Sequence, residues 1–524
     1  MRVLIFHGYL LGGTGSNVYN ARLAAALVAL GHEVHLLSQD RHPESYPFVD
    51  AIGDWDGGAL RVRPQRREIA DRTGRCTVYR PDIGDLLPVY VADRYEGIQA
   101  RPFAECSEEE VAHYIEANVA AVRELLELVR PEVALANHLV MGPVILARAL
   151  AGDVPYAVKI HGSALEYTVK PHPERFLALA GEGVAGARAI LVGSRHTAES
   201  LWEALPGENL PERTRLGPPG VDVELFAPRD ATGALAGVGV LVERLRSSDA
   251  PGAPSSAFAR DERAAAEALE RLEPGRDRLV AFVGKLIVSK GIDLLIAAWP
   301  LVLERVPEAR LVVVGFGAYR EGAERLCAAL EAGDIERVRE IALAGRALED
   351  PALDPRPLRH LLAFIDGLQG PERERYLAAA RCLGESLVPT GRLDHGELAD
   401  LLPACEALVV PSTFPESFGM VAAEAAACGV LPVSAAHSGL AEVSDALARA
   451  VPEQVAGWLS FPVDDDAVSA LAACLVGWLE ADPELRSRTR EGLVSTVRER
   501  WSWEGVARGV IAATRGELDA LERP

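Results

Sequence analysis

The sequence predicts an α/β protein made of two doubly wound, parallel-sheet domains with helical insertions. Three observations predict this. Short apolar runs rich in Val, Leu, Ile and Ala recur along the 524 residues, each followed by a longer helical pattern. The runs show no polar alternation, as strands buried on both faces require. The pattern also falls into two blocks, in a chain too long for a single core.

The first block holds strands at 2–6, 33–38, 133–137, 157–160 and 189–193. The second holds strands at 279–284, 311–315, 407–410, 431–434 and 457–461. Between them, after Phe226, the chain enters 227–275, where SSDAPGAPSS reads as linker and 260–272 (RDERAAAEALERL) as helix. A second irregular stretch, 334–387, is charged, helical and punctuated by prolines at 351, 355, 357 and 371. The expected organisation is a first domain over 1–228, a linker with a helix over 229–277, and a second domain over 278–505 that includes the helical excursion. A last helix lies over 506–524, and its return to the first domain is left open.

Composition is that of a soluble protein, with 49% hydrophobic and 25% charged residues. A net charge of -22 excludes a whole-molecule nucleic-acid binder, which needs a basic surface. Seven scattered cysteines without a CxxC pair point away from a disulfide framework or zinc site and toward a reducing cytoplasm. No apolar run is long enough to span a bilayer, and Met1-Arg2 leads straight into a strand. Membrane contact is therefore expected to be peripheral at most.

Sheets of this kind bind ligands at the carboxyl ends of their strands. There the sequence offers Pro411-Ser-Thr-Phe-Pro-Glu416-Ser417-Phe418-Gly419-Met420-Val421, a loop running into a helix that starts near Gly419 and stops at Gly429. The amides at that helix start suit a phosphate, and Glu416 and Glu424 suit vicinal hydroxyls. A capping role for Glu416 and a surface position for Glu424 are the alternatives. Gly284–293 (GKLIVSKGID) follows another buried strand, and its Lys285 and Lys290 could neutralise a diphosphate or could be solvated loop residues.

Together these segments resemble the family 4 glycosyltransferases of the GT-B fold, which pairs two Rossmann-like domains across a cleft. The resemblance takes in Gly12-Gly13-Thr14-Gly15, Gly31–Val34, His161-Gly162-Ser163, Ser194-Arg195 and Pro219–Asp222. It also takes in the Lys285/Lys290 loop, Gly315-Phe316-Gly317, Glu416 with Glu424, Ser438–Val443 and Trp501-Ser502-Trp503. The resemblance implies a retaining transfer from a nucleotide-diphosphate sugar to a hydroxyl acceptor, with no metal and no cofactor. It implies that Glu424 holds the ribose, Glu416 the transferred sugar, and the backbone from Ser417 through Phe418, Gly419 and Met420 to Val421 the diphosphate or sugar. Lys285 and Lys290 would neutralise the diphosphate. Gly12 and Gly13 would let their loop approach donor and acceptor, and His161 would touch the donor sugar.

A UDP-sugar is favoured as donor, with GDP-mannose and ADP-glucose as alternatives. The acceptor is a carbohydrate, a lipid-linked compound or a small hydroxyl compound, and homo-oligomerisation is left open. Two departures from the family pattern stand out: Lys285 replaces Arg, a point charge in place of a bidentate fork, and Ser438-Gly439 replaces Gly-Gly.

Other signals are weaker. Asp464-Asp465-Asp466 reads as a helix N-terminus in preference to a metal site. Val18 occupies the third glycine position of a dinucleotide fingerprint, so a dehydrogenase reading fails. Arginines 61, 63, 66, 67, 72, 75 and 80 form the one basic run, set against Glu68 and Asp71: a solvated loop, or a site for an anionic acceptor or lipid headgroup. A sugar-nucleotide epimerase, a glycan phosphorylase and a catalytically silent donor-binding subunit are the rival readings. The excursion over 334–387 is expected to add a helical layer to the second domain and to leave the donor site intact.

Overall fold

The structure, a computed structural model, describes the chain apart from residues 57, 66–72, 91–97, 208, 248–259 and 274. It divides into two compact units: Met1–Gly220 with Trp501–Pro524, and Val221–Arg500. These divisions fall at 220 and 500, where the sequence suggested 228 and 505.

The first unit contains strands β1 Arg2–Phe6, β2 Glu33–Leu37, β3 Ala51–Asp56, β4 Ala59–Pro64, β5 Arg75–Arg80, β6 Leu86–Val89, β7 Gln99–Pro102, β8 Val133–Asn137, β9 Tyr156–Lys159, β10 Ala189–Val192 and β11 Thr214–Leu216. Nine of them form one sheet in the order β11-β10-β9-β8-β1-β2-β5-β3-β4, and β6 pairs with β7 separately. Within the sheet only β3 and β4 run antiparallel. Alternate residues of β1 serve opposite cores, because successive side chains point to opposite faces. Leu4 and Phe6 join one core and Val3 and Ile5 the other. The second core is closed by helices Gly15–Ala29 and Trp503–Arg515, the latter through Ala507, Val510 and Ala513. The chain's last helix is thus a layer of the first unit.

The second unit has a parallel sheet of β12 Arg278–Lys285, β13 Ala309–Phe316, β14 Leu387–Gly391, β15 Ala407–Val410, β16 Leu431–Ala435 and β17 Ser460–Phe461. Their order is β14-β13-β12-β15-β16-β17. The expected strand at 457–461 shrinks to its last two residues, since the turn that follows helix Glu453–Ala456 takes up 457–459.

The stretch read as linker is largely structured. Helix Ala231–Arg246 starts at an Asp230 cap, whose carboxylate accepts from Gly233 N–H at 2.7 Å, and buries Val238, Leu241 and Leu245. The helix expected over 260–272 is Glu262–Leu269. Most of SSDAPGAPSS lies outside the described residues.

The excursion folds into helices Ile335–Ala344, Arg359–Gly367, Gly370–Ala380 and Leu383–Ser386. It packs on its own unit: Tyr376 donates to the Ala297 carbonyl at 2.9 Å, and Trp299 Nε1 donates to Ser386 Oγ at 3.1 Å. The added helical layer is therefore present. Among the described residues, no helix is long and apolar enough to cross a membrane.

Candidate functional site

In the second unit, β12 ends at Lys285 and leads into a single 3-10 turn, Val288–Lys290. Gly291 ends the turn at φ +69°, and a β-carbon there would stand 1.9 Å from the Pro411 carbonyl oxygen. Only glycine satisfies both the left-handed backbone and this approach to the chain leaving β15. Ser289 O accepts from Thr413 N–H at 2.9 Å. Lys290 Nζ and Ser412 Oγ (2.6 Å) both donate to Glu416. The basic loop and the acidic loop, 126 residues apart for the lysine pair, are thus one constellation.

Helix Met420–Ala427 begins after Gly419, itself at φ +142°. The first intrahelical bond runs from Ala422 N–H to Gly419 O, so the amides of Met420 and Val421 precede the ladder at the helix's positive end. Ser417 is half-buried and Phe418 buried on the approach to that end. Glu424 lies inside the helix and is buried, and His395 Nε2 stands 3.1 Å from its carboxylate. The surface position considered for Glu424 is therefore excluded. Glu416 does not cap the helix: Gly419 holds that place, and Glu416 faces Lys290.

Several supports here were given no role by sequence reasoning. His395 heads helix His395–Leu401, with the Phe226 ring edge-on to it at 6.0 Å. Arg260 donates to Glu397 (2.7 and 2.8 Å) and pairs with Asp394, so the end of the supposed linker clamps the start of that helix. Ser438 sits at φ +52°, a backbone glycine would adopt freely, and its hydroxyl accepts from Glu416 N–H at 2.9 Å. The departure from Gly-Gly thereby gives Glu416 a fixed main chain. His437 completes the array: its Nε2 donates to Ser412 O (2.7 Å), leaving Nδ1 to accept from Ser438 Oγ (3.0 Å).

The first unit holds Gly12, Gly13 and His161. Gly13 takes φ +92°, and Asn17 Nδ2 donates to the Gly12 carbonyl at 2.7 Å. His161, half-buried, follows β9; its Nε2 lies 2.8 Å from Asn137 Oδ1, and its ring meets Tyr19 at 5.0 Å and His138 at 4.9 Å. Asn137 Nδ2 donates to Phe6 O, which turns Oδ1 toward His161 and makes His161 Nε2 the donor. Asn20 Nδ2 reaches Asn137 Oδ1 (3.1 Å) and His7 Nδ1 (3.0 Å), and His7 Nε2 meets Leu10 O and Asn17 Oδ1. A continuous polar chain therefore joins His161 to the Gly12 loop. Burial, reinforced by His138, Lys159 and His7, holds the His161 pKa well below its ordinary value, so the ring is neutral. Asn137 stands 24 residues before His161 and no local signal announces it, and His7, Asn17 and Asn20 flank the glycine-rich loop without a motif of their own.

The remaining signals resolve simply. Asp466 precedes helix Ala467–Leu479, and Asp464 accepts from Asp466 N–H at 3.0 Å. Among the described residues, no group of three or more His, Cys, Asp or Glu is placed to hold a metal ion. In the basic run Arg61 pairs with Asp56, and Arg63 and Arg80 pair with Asp54; residues 66, 67, 68, 71 and 72 lie outside the described residues.

The family profile "Glycosyl transferases group 1" matches residues 266–336 and 358–492, and "Glycosyl transferase 4-like domain" matches 14–210. The chain is 30% identical to a GDP-mannose-dependent alpha-(1-6)-phosphatidylinositol monomannoside mannosyltransferase of Mycolicibacterium smegmatis, over 61% of this chain and 68% of that protein. It is 27% identical to a D-inositol 3-phosphate glycosyltransferase of Frankia alni, over 90% and 97%. A protein of the same description from Segniliparus rotundus is 28% identical over 66% of this chain, which spans 56% of that longer protein. Among solved structures, a sucrose-phosphate synthase of Thermosynechococcus elongatus superposes with a TM-score of 0.55 at 19% identity, over 99% of both chains. Anabaena HepE in complex with UDP-glucose gives 0.52 at 15%, over 99% of this chain and 100% of HepE.

Proposed function

This chain belongs to the family 4-type glycosyltransferases of the GT-B fold, and from that premise we propose that it transfers a sugar from a nucleoside-diphosphate sugar to a hydroxyl acceptor. The transfer retains anomeric configuration and needs no metal ion and no cofactor.

The reading rests on one juxtaposition: Lys290 against Glu416 beside the start of helix Met420–Ala427, with Glu424 buried within that helix. Cations and a helix N-terminus together supply what a diphosphate needs. In the free chain Lys290 is neutralised by Glu416. Donor binding would exchange that pair for Lys290 on the diphosphate and Glu416 on a sugar hydroxyl. Glu424, held by His395, would accept from the ribose hydroxyls. UDP is the favoured nucleotide because HepE is described with UDP-glucose, and GDP is the alternative because the mycolicibacterial relative is GDP-mannose-dependent.

In the reaction the bond from the anomeric carbon to the diphosphate oxygen breaks as the acceptor oxygen attaches on the same face. The acceptor proton passes to the departing phosphate. Lys285, Lys290 and the helix amides stabilise charge on the leaving group, the dominant electrostatic contribution in such steps. Neutral His161 serves as a fixed hydrogen-bonding partner for the sugar, since its lowered pKa leaves the ring unprotonated and without a proton to give as a general acid.

The test is a thermal-shift panel of UDP, GDP and ADP with and without EDTA, followed by NMR of the anomeric product. A shift that survives EDTA and a retained anomer are expected. Absence of any nucleotide shift refutes the donor site, loss with EDTA refutes metal independence, and an inverted product refutes retention.

A further inference from the structure

The family profile matches the chain on either side of residues 337–357, a part of the excursion it leaves unmatched. That part is a built loop. Leu358 N–H donates to Ala342 O at 2.8 Å across its neck, and Gly345, at φ +48°, would place a β-carbon 1.8 Å from the Arg356 carbonyl oxygen. At its tip Ala352 N–H bonds the Asp350 carboxylate at 2.9 Å. The loop does not stand apart from the donor motifs: Glu349 accepts the Val288 N–H at 2.6 Å with its side chain 11% exposed, and Arg346 lies 3.5 Å from its other oxygen. The excursion thus touches the loop that carries Lys290, a contact the sequence did not suggest.

Val288 opens the 3-10 turn that ends at Lys290, and the residue before it, Ile287, offers no side-chain cap. First-turn amides left without a partner destabilise such a turn. Glu349, 61 residues away, supplies the missing cap. The turn is then held at each residue: Val288 by Glu349, Ser289 by Thr413 and Lys290 by Glu416. When donor binding draws Lys290 away from Glu416, the Glu349 bond to Val288 and the Thr413 bond to Ser289 still tie the turn to its surroundings.

We infer that Glu349 is a positioning residue for diphosphate recognition: the excursion loop uses its carboxylate to cap the Val288–Lys290 turn and so fixes Lys290, which meets the diphosphate. This rests on the donor reading above. It makes two demands: the turn must loosen when the cap is lost, and the affinity lost must be that of the diphosphate and not of the nucleoside.

Two changes remove the bond from opposite sides. Glu349→Ala deletes the acceptor, while Val288→Pro deletes the donor at a first-turn position where proline is tolerated. Ile287 is already extended (φ -134°, ψ 152°), as the residue before a proline must be. Glu349→Gln keeps an acceptor and serves as the conservative variant. In the full chain, hydrogen exchange of peptides over 286–291 is measured without ligand. Calorimetric binding of the preferred nucleoside diphosphate and of its nucleoside is measured alongside.

Loss of a cap predicts exchange and diphosphate dissociation constants raised about fivefold to thirtyfold in Glu349→Ala and Val288→Pro. Nucleoside affinity should be unchanged, and Glu349→Gln should restore both to within about threefold. Unchanged exchange in both variants, or equal losses for nucleoside and diphosphate, overturns the assignment. If Glu349→Ala fails to fold, Val288→Pro decides alone. A wild-type chain that binds no nucleoside diphosphate overturns the donor reading instead, and the exchange arm still decides whether Glu349 holds the turn.

Discussion

Asp293→Asn is the sharpest test of the physics beneath the basic loop. Asp293 is the second residue of helix Ile292–Arg305 and only 3% exposed, with no partner at Oδ1 among the described residues. Two effects compete. The helix start and the amides of Asp293 and Leu294 favour a carboxylate, whereas burial favours the acid. Burial wins, lifting the pKa from 3.8 to about 7.

A raised carboxyl pKa keeps a proton on the folded chain after the unfolded chain has released it. Stability therefore falls as pH rises from about 4 to about 7 and stays lowered above that. At about 1.36 kcal/mol for each tenfold change in proton affinity, the loss is about 4 kcal/mol as an upper bound. Asparagine has nearly the same shape, keeps an acceptor for the amides and carries no charge at any pH. Wild type and Asp293→Asn should thus agree within about 1 kcal/mol at pH 4. At pH 8 the variant should be more stable by about 2 to 4 kcal/mol, which raises the melting temperature of its unit by about 4 to 10 °C. Scanning calorimetry of both chains from pH 4 to 8.5 checks this. A difference in melting temperature that does not change with pH would refute the argument from burial.

Two further outcomes follow from the site. Glu424→Ala should weaken binding of the free nucleoside diphosphate about tenfold to a hundredfold, the range for a charged hydrogen-bonding group, as measured by calorimetry; unchanged affinity would leave Glu424 a structural partner of His395 only. Gly291→Ala combines a left-handed backbone with a β-carbon 1.9 Å from Pro411 O, so it should destabilise the chain by at least about 2 kcal/mol in urea unfolding, and a neutral result would mean the two loops can separate freely.

Much of this was legible because it is written locally. Strands β1, β8 and β15 are apolar apart from Arg2 and Asn137, since neighbouring strands and helices on both faces bury every position but Arg2, and their bounds match expectation residue for residue. Strand β4 (ALRVRP) was not legible: it forms the exposed sheet edge, where no apolar run is needed. Strand β14 hid behind the excursion, its LVPTG only partly buried beside β13. Glu416, Glu424, Lys285 and Lys290 were visible because a loop entering a helix constrains residues a few positions apart.

By itself, then, the sequence determined the two sheets, the loops at their carboxyl edges and the ionisable groups those loops carry. Each follows from short-range periodicity, from glycine's backbone freedom or from spacing within one turn. Only the tertiary structure decided what holds those groups. Asn137 orients His161, His395 meets Glu424, Ser438 grips the Glu416 amide and Glu349 caps the lysine turn, across separations of 24, 29, 22 and 61 residues. It likewise decided that the last helix completes the first unit, where Ala507, Val510 and Ala513 meet the β1 face carrying Val3 and Ile5. An apolar helix face records that it must be covered. Which sheet covers it is settled by packing between parts of the chain hundreds of residues apart, and no local pattern encodes that choice.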